Sequence, residues 1–449
     1  MPRSLLVLLC LSISALSVFG ADRGELQERR QRAATMFRDG VLLIHANSTL
    51  SITADGFHQD PTFYYFTGLA NTPCALLAID GRSGQSWLFL NPPMRSAALA
   101  QSMDPISVQS LRPEVSPGPD AAERLGMARV EDWSELEKFM EDKIRSAPIL
   151  YYVPHRFGLE ELPPGPIENA GAPLWAIGLL KKWPSLTLRD VGGRIFALMS
   201  VQRAAEIEDL RAAAHASVAA LLAGMRAIKP GVPQRSVEVA VETACWQQNA
   251  HGVSFWPWVM AGTKGVFPHP WQSLIQYDHL DGIMESGDLV RLDIGCEWNH
   301  YQGDLGRTVP VSGRYNDEQR EIWNIFVGAY KAGVKSLREG VTVDEIFRVW
   351  SQELLRQRAS AKTVLAREAI DLWSKRENVP FWGPHTINLD AGFIDGPLRS
   401  GMTIAFEPIA SIQAQGFYLE DMFVIGKNGA ELLTPGVPYS AEEIEATMK

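Results

Sequence analysis

The chain has 449 residues, with 42 Lys plus Arg against 52 Asp plus Glu and a formal charge of −10, so it lacks the basic excess that nucleic-acid phosphates require as a partner. Hydrophobic residues make up 46% and charged residues 21%, a composition that can build a large core and excludes wholesale disorder. The 4 cysteines form no CxxC pair, which excludes a thiolate zinc site and a stapled mini-fold.

The first predicted element is the apolar run Leu5 to Val18, behind the basic Arg3. It is shorter than the roughly 20 residues of a transmembrane helix, and the small-residue stretch ending at Gly20 precedes Ala21. Together these form a secretory signal over residues 1–20, so the mature protein is expected to be exported and free of the membrane. A retained N-terminal anchor is the alternative reading. Cys10 lacks the small residues that a lipid-attachment site needs before it. The remaining Cys74, Cys245 and Cys296 are expected to be mostly buried thiols.

Residues 41–46, 75–79 and 86–90 are short apolar runs bounded by Asp, Gly, Asn and Pro, and they predict buried strands. Ala121 to Arg145 has helical character, which makes the first part an α/β domain with a mixed sheet. Residues 162–173 are rich in Pro and Gly and predict a loop. A boundary between 190 and 205 divides the mature chain into an N-terminal domain, 21–195, and a second domain, 196–449.

From Ala204 the pattern turns to long helices. Ile207, Leu210, Ala214, Val218, Leu221 and Met225 recur at helical spacing until Lys229-Pro230-Gly231 stops them. Thr342 and Glu345 form a capping box ahead of Ile346, Val349 and Trp350. Strand-like runs at 288–296, 304–311, 402–409 and 418–426 complete an α+β domain with antiparallel hairpins.

Those strands carry acids. A turn centred between Trp298 and Asn299 would set Asp293 opposite Asp304, and one centred between Gln413 and Ala414 would set Glu407 opposite Glu420. Any one of these acids taken singly reads as a structural residue. Four carboxylates facing an apolar sheet are prohibitively costly unless cations compensate them, and two divalent ions balance four negative charges. His385, in Gly383-Pro-His-Thr, supplies a nitrogen ligand.

The ordered set Asp293, Asp304 followed by Gly306-Arg307-Thr308, His385, the run Gly401 to Pro408 around Glu407, and Leu419-Glu420-Asp421 resembles the dinuclear metallopeptidases of the pita-bread fold. The stretch Phe57 to Gly68 is similar to the N-terminal signature of Xaa-Pro aminopeptidases, the aminopeptidase P family. That resemblance implies Asp293 on one metal, His385 and Glu407 on the other, and Asp304 and Glu420 bridging both. It implies manganese, or otherwise iron, cobalt or zinc, and the oxygen-rich ligand set agrees best with manganese or iron. It also implies cleavage of an N-terminal Xaa-Pro bond by a metal-bridging hydroxide. Family members are often homo-oligomers.

The match fails outside the ligands. Gly392 stands where the family has a histidine seven residues after the metal ligand, Phe381 replaces another histidine, and Tyr418 replaces an arginine. The remaining family histidine falls on His269 when counted from Gly262, or on Gln276 when counted back from Asp293; His279 is a third candidate. His269 retains the chemistry and is the candidate catalytic residue. Trp256, Trp258, Phe267, Trp271, Phe381 and Trp382 could form an apolar pocket. Three readings follow: an exported Xaa-Pro aminopeptidase, a hydrolase or lyase for a small non-prolyl substrate on the same scaffold, and a weakly active metal-binding protein. Restoring a histidine at 392 is expected to favour peptide cleavage if that loss is specific.

Overall fold

Alternating side chains make the N-terminal strands buried on both faces. The computed structural model describes residues 21–47, 57–91, 114–146, 148–153, 174–266, 282–379 and 382–449. Strands β1 (Val41–His45), β2 (Leu76–Asp80) and β3 (Ser86–Leu90) form an antiparallel ladder. β4 (Arg129–Asp132) joins β3 in parallel, and β5 (Ile149–Tyr152) and β6 (Thr187–Asp190) extend the other edge in parallel, giving the mixed order β4-β3-β2-β1-β5-β6. Leu42, Ile44, Leu77, Ile79 and Leu88 pack on one side with Ala33, Phe37 and Phe66. Val41, Leu43, Leu76, Trp87 and Phe89 pack on the other with Met140 and Ile144. Two-sided burial is what turns these strands into near-continuous apolar runs.

Among the described residues the helices of this domain are α1 (Arg23–Met36), α2 (Pro61–Thr67), α3 (Pro119–Leu125), α4 (Leu136–Ser146), α5 (Leu174–Lys182) and α6 (Gly192–Met199). One expectation is corrected here. The predicted helical stretch from Ala121 to Arg145 is two helices separated by β4. Gly126, at φ +61°, ends α3 in the left-handed conformation that glycine adopts without steric cost, and Val130 then pairs with Leu88. The predicted loop 162–173 lies outside the described residues, as does the signal segment 1–20.

In the second domain α7 (Ala204–Ala227) and α8 (Gln234–Gln247) precede the strands, and α9 (Asp317–Ser336), α10 (Val343–Gln357) and α11 (Val364–Trp373) follow the first hairpin; α12 (Ala441–Thr447) closes the chain. The capping box of α10 forms as its sequence predicts, with Thr342 accepting from the Glu345 N–H and Glu345 accepting from the Thr342 N–H. The small strands are β7 (Gly252–Val253), β10 (Cys296–Trp298) and β11 (Tyr301–Gln302). The main antiparallel sheet runs β14-β13-β15-β17-β12-β9-β8, where β8 is Trp258–Ala261, β9 Leu289–Ile294, β12 Leu305–Pro310, β13 Pro384–Ile387, β14 Ala391–Phe393, β15 Thr403–Phe406 and β17 Gln415–Ile425. β16 (Ile409–Ile412) and β18 (Ala430–Leu432) also pair with β17.

Period-two alternation divides this sheet. Val290, Leu292, Ile294, Leu305, Val309, Ile404, Phe406, Phe417 and Leu419 join the helical core, where Trp323, Trp350 and Trp373 are fully buried. The intervening residues turn to the other face. On the helical side Arg307 and Asp421 form a buried ion pair at 3.0 Å. Asp421 also accepts from Tyr330 at 2.9 Å, Thr434 at 2.9 Å and Tyr439 at 2.8 Å. The Arg307 guanidinium donates to the carbonyls of Pro438, Gly306 and Glu420. With every hydrogen bond made, this pair staples β12 to β17.

The domains meet through a second buried arginine. Arg29 of α1 donates to the Tyr65 carbonyl at 2.9 Å and pairs with Glu206 of α7 at 3.1 Å, and Tyr301 donates to Glu206 at 3.0 Å. The cysteines also differ from expectation. Cys245 of α8 and Cys296 of β10 are joined in a disulfide, because the two elements pack side by side; among the described residues Cys74 is a free thiol. Among the described residues no helix is long and apolar enough to cross a membrane.

Removing one partner of a fully satisfied buried pair strands the other. Asp421→Ala is therefore expected to cost about 3–5 kcal/mol, read as a lowered urea midpoint. An unchanged midpoint would show that Arg307 needs no counter-charge.

Candidate metal centre

Two type I′-like turns set the site. Gln413 and Ala414 take φ +44° and +59°, and Ile412 pairs with Gln415, the register expected from the sequence. In the first hairpin the turn residues are Asn299 and His300, at φ +48° and +67°, one position later than expected. Left-handed backbone at both central positions is what a two-residue hairpin demands, and Asn tolerates it. Asn299 is further tied to Asp209 at 2.9 Å. Asp293 consequently faces Gly306 rather than Asp304. A shift of two preserves the face, so both aspartates still lie on the same side of the sheet.

The registers then arrange five ligand-type side chains in two ranks. Asp293, Gly306 and Glu420 are aligned across β9, β12 and β17. Glu407 follows β15 in line with Glu420, its N–H bonded to the Gly383 carbonyl at 2.9 Å. Two residues along, His385 of β13 pairs with Ala405, which pairs with Met422, and the Asp304 N–H donates to the Met422 sulfur at 3.3 Å. Gly306 is required between the two acids, because a Cβ there would meet the Tyr418 ring at 2.1 Å.

His385 Nε2 lies 3.5 Å from Asp304 Oδ2, 3.4 Å from Glu407 Oε1 and 3.6 Å from Glu420 Oε1. Ligand atoms of Asp304, His385 and Glu420 lie within 4.8 Å of one another. All four carboxylates are buried, and Glu420 is fully so. Its Oε2 accepts from the Tyr418 hydroxyl, whereas its Oε1 is buried with no hydrogen-bond partner. A buried carboxylate oxygen without a partner costs stability, and a cation would satisfy it. Four carboxylates with one imidazole suit hard divalent cations. The residues present fit the metal.

The electrostatics agree. Burial pushes Asp293 up to about 6, against the pull of Arg291, and pushes Glu407 up to about 8 with help from Glu420. Asp304 is driven well above the carboxylate range by burial and by Glu420, Asp293 and Glu407. Burial disfavours the charged form of His385, yet contact with Glu420 and Glu407 outweighs it and raises the imidazole to about 9. Without cations the site holds protons in their place.

The other expected residues divide. His269, Gln276, His279, Phe267, Trp271 and Phe381 lie outside the described residues. Trp258 is in register with Asp293 on β8 and stands beside the ligands. Trp256 donates to Glu238 at 3.2 Å. Trp382 is a correction: it packs against Phe347, Trp350 and Phe406 in the helical core. At Gly392 a Cβ would meet the Phe196 ring at 2.2 Å, so an aromatic ring from α6 fills the space into which a side chain would project. A restored histidine there therefore collides, contrary to expectation.

Two residues escaped the sequence reading. Phe196 carried no signal, since it is one apolar residue in an apolar helix. Arg291 did carry one: it interrupts Leu289-Val-Arg-Leu two residues before Asp293, on the same strand face. Its guanidinium donates to Asp293 Oδ2 at 2.8 Å.

Comparison with known proteins follows the same outline. Residues 208–427 match metallopeptidase family M24, and residues 26–151 match the aminopeptidase P N-terminal domain. The chain is 27% identical to the Xaa-Pro aminopeptidase of Escherichia coli over 95% of this chain and 98% of that protein. It is 25% identical to the mitochondrial intermediate cleaving peptidase 55 of Arabidopsis thaliana, over 94% of this chain and 82% of that one. The solved aminopeptidase P of E. coli in its low-pH form superposes with a TM-score of 0.71 at 25% identity, covering 95% of this chain and 98% of that one.

Cation uptake at neutral pH must displace the protons that Asp304, Glu407 and His385 hold. Calorimetric titration of chelated protein with Mn²⁺ should give a heat that varies with the buffer's ionisation enthalpy, with the slope reporting proton release. Affinity should rise with pH. A slope of zero would contradict the protonated metal-free site. Gly392→His should lose about 1–3 kcal/mol of stability through overpacking against Phe196, and Phe196→Ala in the same chain should recover it.

Proposed function

The chain belongs to the aminopeptidase P family of M24 metallopeptidases, and on that premise we propose that it is an exported, manganese-dependent aminopeptidase releasing the N-terminal residue ahead of proline. As a family member it is a metal-dependent hydrolase of the aminopeptidase type. The observation that carries the finer reading is the convergence of Asp293, Asp304, His385, Glu407 and Glu420 on one buried sheet face, with Glu420 Oε1 lacking a partner. The relatives' names, Xaa-Pro aminopeptidase among them, support a peptide substrate with proline second.

Two divalent cations, when bound, supply the Lewis acidity that activates water and polarises the scissile carbonyl. His385, Glu407, Asp304 and Glu420 would hold one of them, and Asp293, with Asp304 and Glu420 shared, the other. That His385 Nε2 lies against the other three carboxylates while Asp293 is bonded to Arg291 supports this division. Trp258 provides an apolar wall beside Asp293. The oxygen-rich donor set supports manganese over a thiophilic ion.

Export rests on the N-terminal signal pattern and on the Cys245–Cys296 disulfide, a pairing at home in an oxidising compartment. A second reading, a small non-prolyl substrate, draws on Gly392: with Phe196 filling the adjacent space, no side-chain donor stands there to steady a tetrahedral intermediate.

Purified protein should bind Mn²⁺ and cleave a short Xaa-Pro-Xaa peptide, and Asp304→Ala should abolish both. Metal uptake without cleavage would favour the non-prolyl reading; absence of uptake would sink both. Mature protein isolated from its host should begin at Ala21, and an N-terminus at Met1 would refute export by signal cleavage.

A further inference from the structure

Behind the five ligands lies a third rank of the same sheet face. Arg291 of β9 pairs with Thr308 of β12, and the β12–β17 register brings Tyr418 to the far side of that threonine, its N–H donating to Thr308 Oγ1 at 2.9 Å. The guanidinium of Arg291 reaches over Thr308 and lies 4.2 Å from the centroid of the Tyr418 ring. Each member then takes hold of one ligand. Arg291 Nη2 donates to Asp293 Oδ2 at 2.8 Å, and the Tyr418 hydroxyl donates to Glu420 Oε2.

The burial of this cation needs a reason. Arg291 is 3% exposed, and its Nε and Nη1 are buried without a hydrogen-bond partner. A guanidinium with two unsatisfied donors is a poor structural element, because its desolvation is incompletely offset. Arg307, on the other face, shows what a structural arginine looks like here, with bonds to three carbonyls and Asp421. What Arg291 has instead is position. It engages one oxygen of Asp293, stacks on the ring that engages one oxygen of Glu420, and is a positive charge beside four carboxylates.

We propose that Arg291 and Tyr418 form a stacked clamp that presets Asp293 and Glu420 for cation binding, with Arg291 as the positioning residue for the Asp293 side of the centre. The inference rests on the metal-site reading above. Because 291 and 418 flank the same threonine on the same face, the guanidinium can be delivered from either strand. That explains how the chain has tyrosine at 418, where its resemblance leads one to expect arginine: the cation comes from β9 instead.

The experiment is Mn²⁺ titration of chelated protein, read as affinity and equivalents bound, in wild type, Arg291→Leu, Tyr418→Phe and the exchange variant R291L/Y418R. Wild type should take up two equivalents. Arg291→Leu should lose about 10–100-fold in affinity for one equivalent and keep the other, since ligands lose that much when their orienting partners go. Tyr418→Phe, which keeps the ring, should weaken binding less and serves if Arg291→Leu does not fold. R291L/Y418R should regain most of the lost affinity, an outcome that general damage to the fold would not produce. Unchanged affinity in Arg291→Leu, or an exchange variant no better than that single change, would overturn the clamp while leaving the metal site standing. Wild type that takes up no cation would overturn the metal-site reading and the clamp with it.

Discussion

Four carboxylates buried on one face of an antiparallel sheet are the constraint on which this architecture depends. Each is nearly excluded from water, and their mutual repulsion in a low-dielectric setting far exceeds anything a surface cluster would experience. The fold tolerates this through three devices at different distances. Protons or cations compensate the charges directly; Arg291 sits among them; and Arg307 with Asp421 locks the strands from behind.

The two faces of the sheet therefore do different work with the same strands. Residues of one parity in β9, β12 and β17 belong to a core that includes the buried Trp323, Trp350, Trp373 and Trp382, and this gives the platform its rigidity. Residues of the other parity present acids. A ligand on a flexible loop would have many orientations to lose on binding, whereas one on a strand, with its neighbours in register on both sides, has few. Gly306 belongs to this logic: it leaves room for the Tyr418 ring between the two acids it separates.

Much of this was legible in the chain. The apolar runs of β1, β2 and β3 and the periodicity of α7 follow from burial patterns that are local in sequence. The acids were legible because charge inside an apolar strand is anomalous, and their spacing within hairpins placed them on one face without knowledge of the rest of the sheet. The same anomaly at Arg291 passed unread beside the stronger signal of Asp293. Between Ala121 and Arg145 the strand β4 was hidden, because Val130 is the one buried residue among its four and the segment acquires strand structure only by pairing with β3.

What the sequence determined by itself was the set of ligand-type residues and their common face, since side-chain alternation survives a two-residue error in register. What only the tertiary structure decided was adjacency between segments far apart in the chain. Asp293 and Glu420 become neighbours across β12, the Arg291 guanidinium comes to rest on Tyr418, Phe196 lies against Gly392, and Cys245 meets Cys296. None of these contacts has a local signature, because each follows from how β9, β12 and β17 and the helices around them pack together. The physical reason is that periodicity fixes which way a side chain points, while strand order and helix docking fix what it meets.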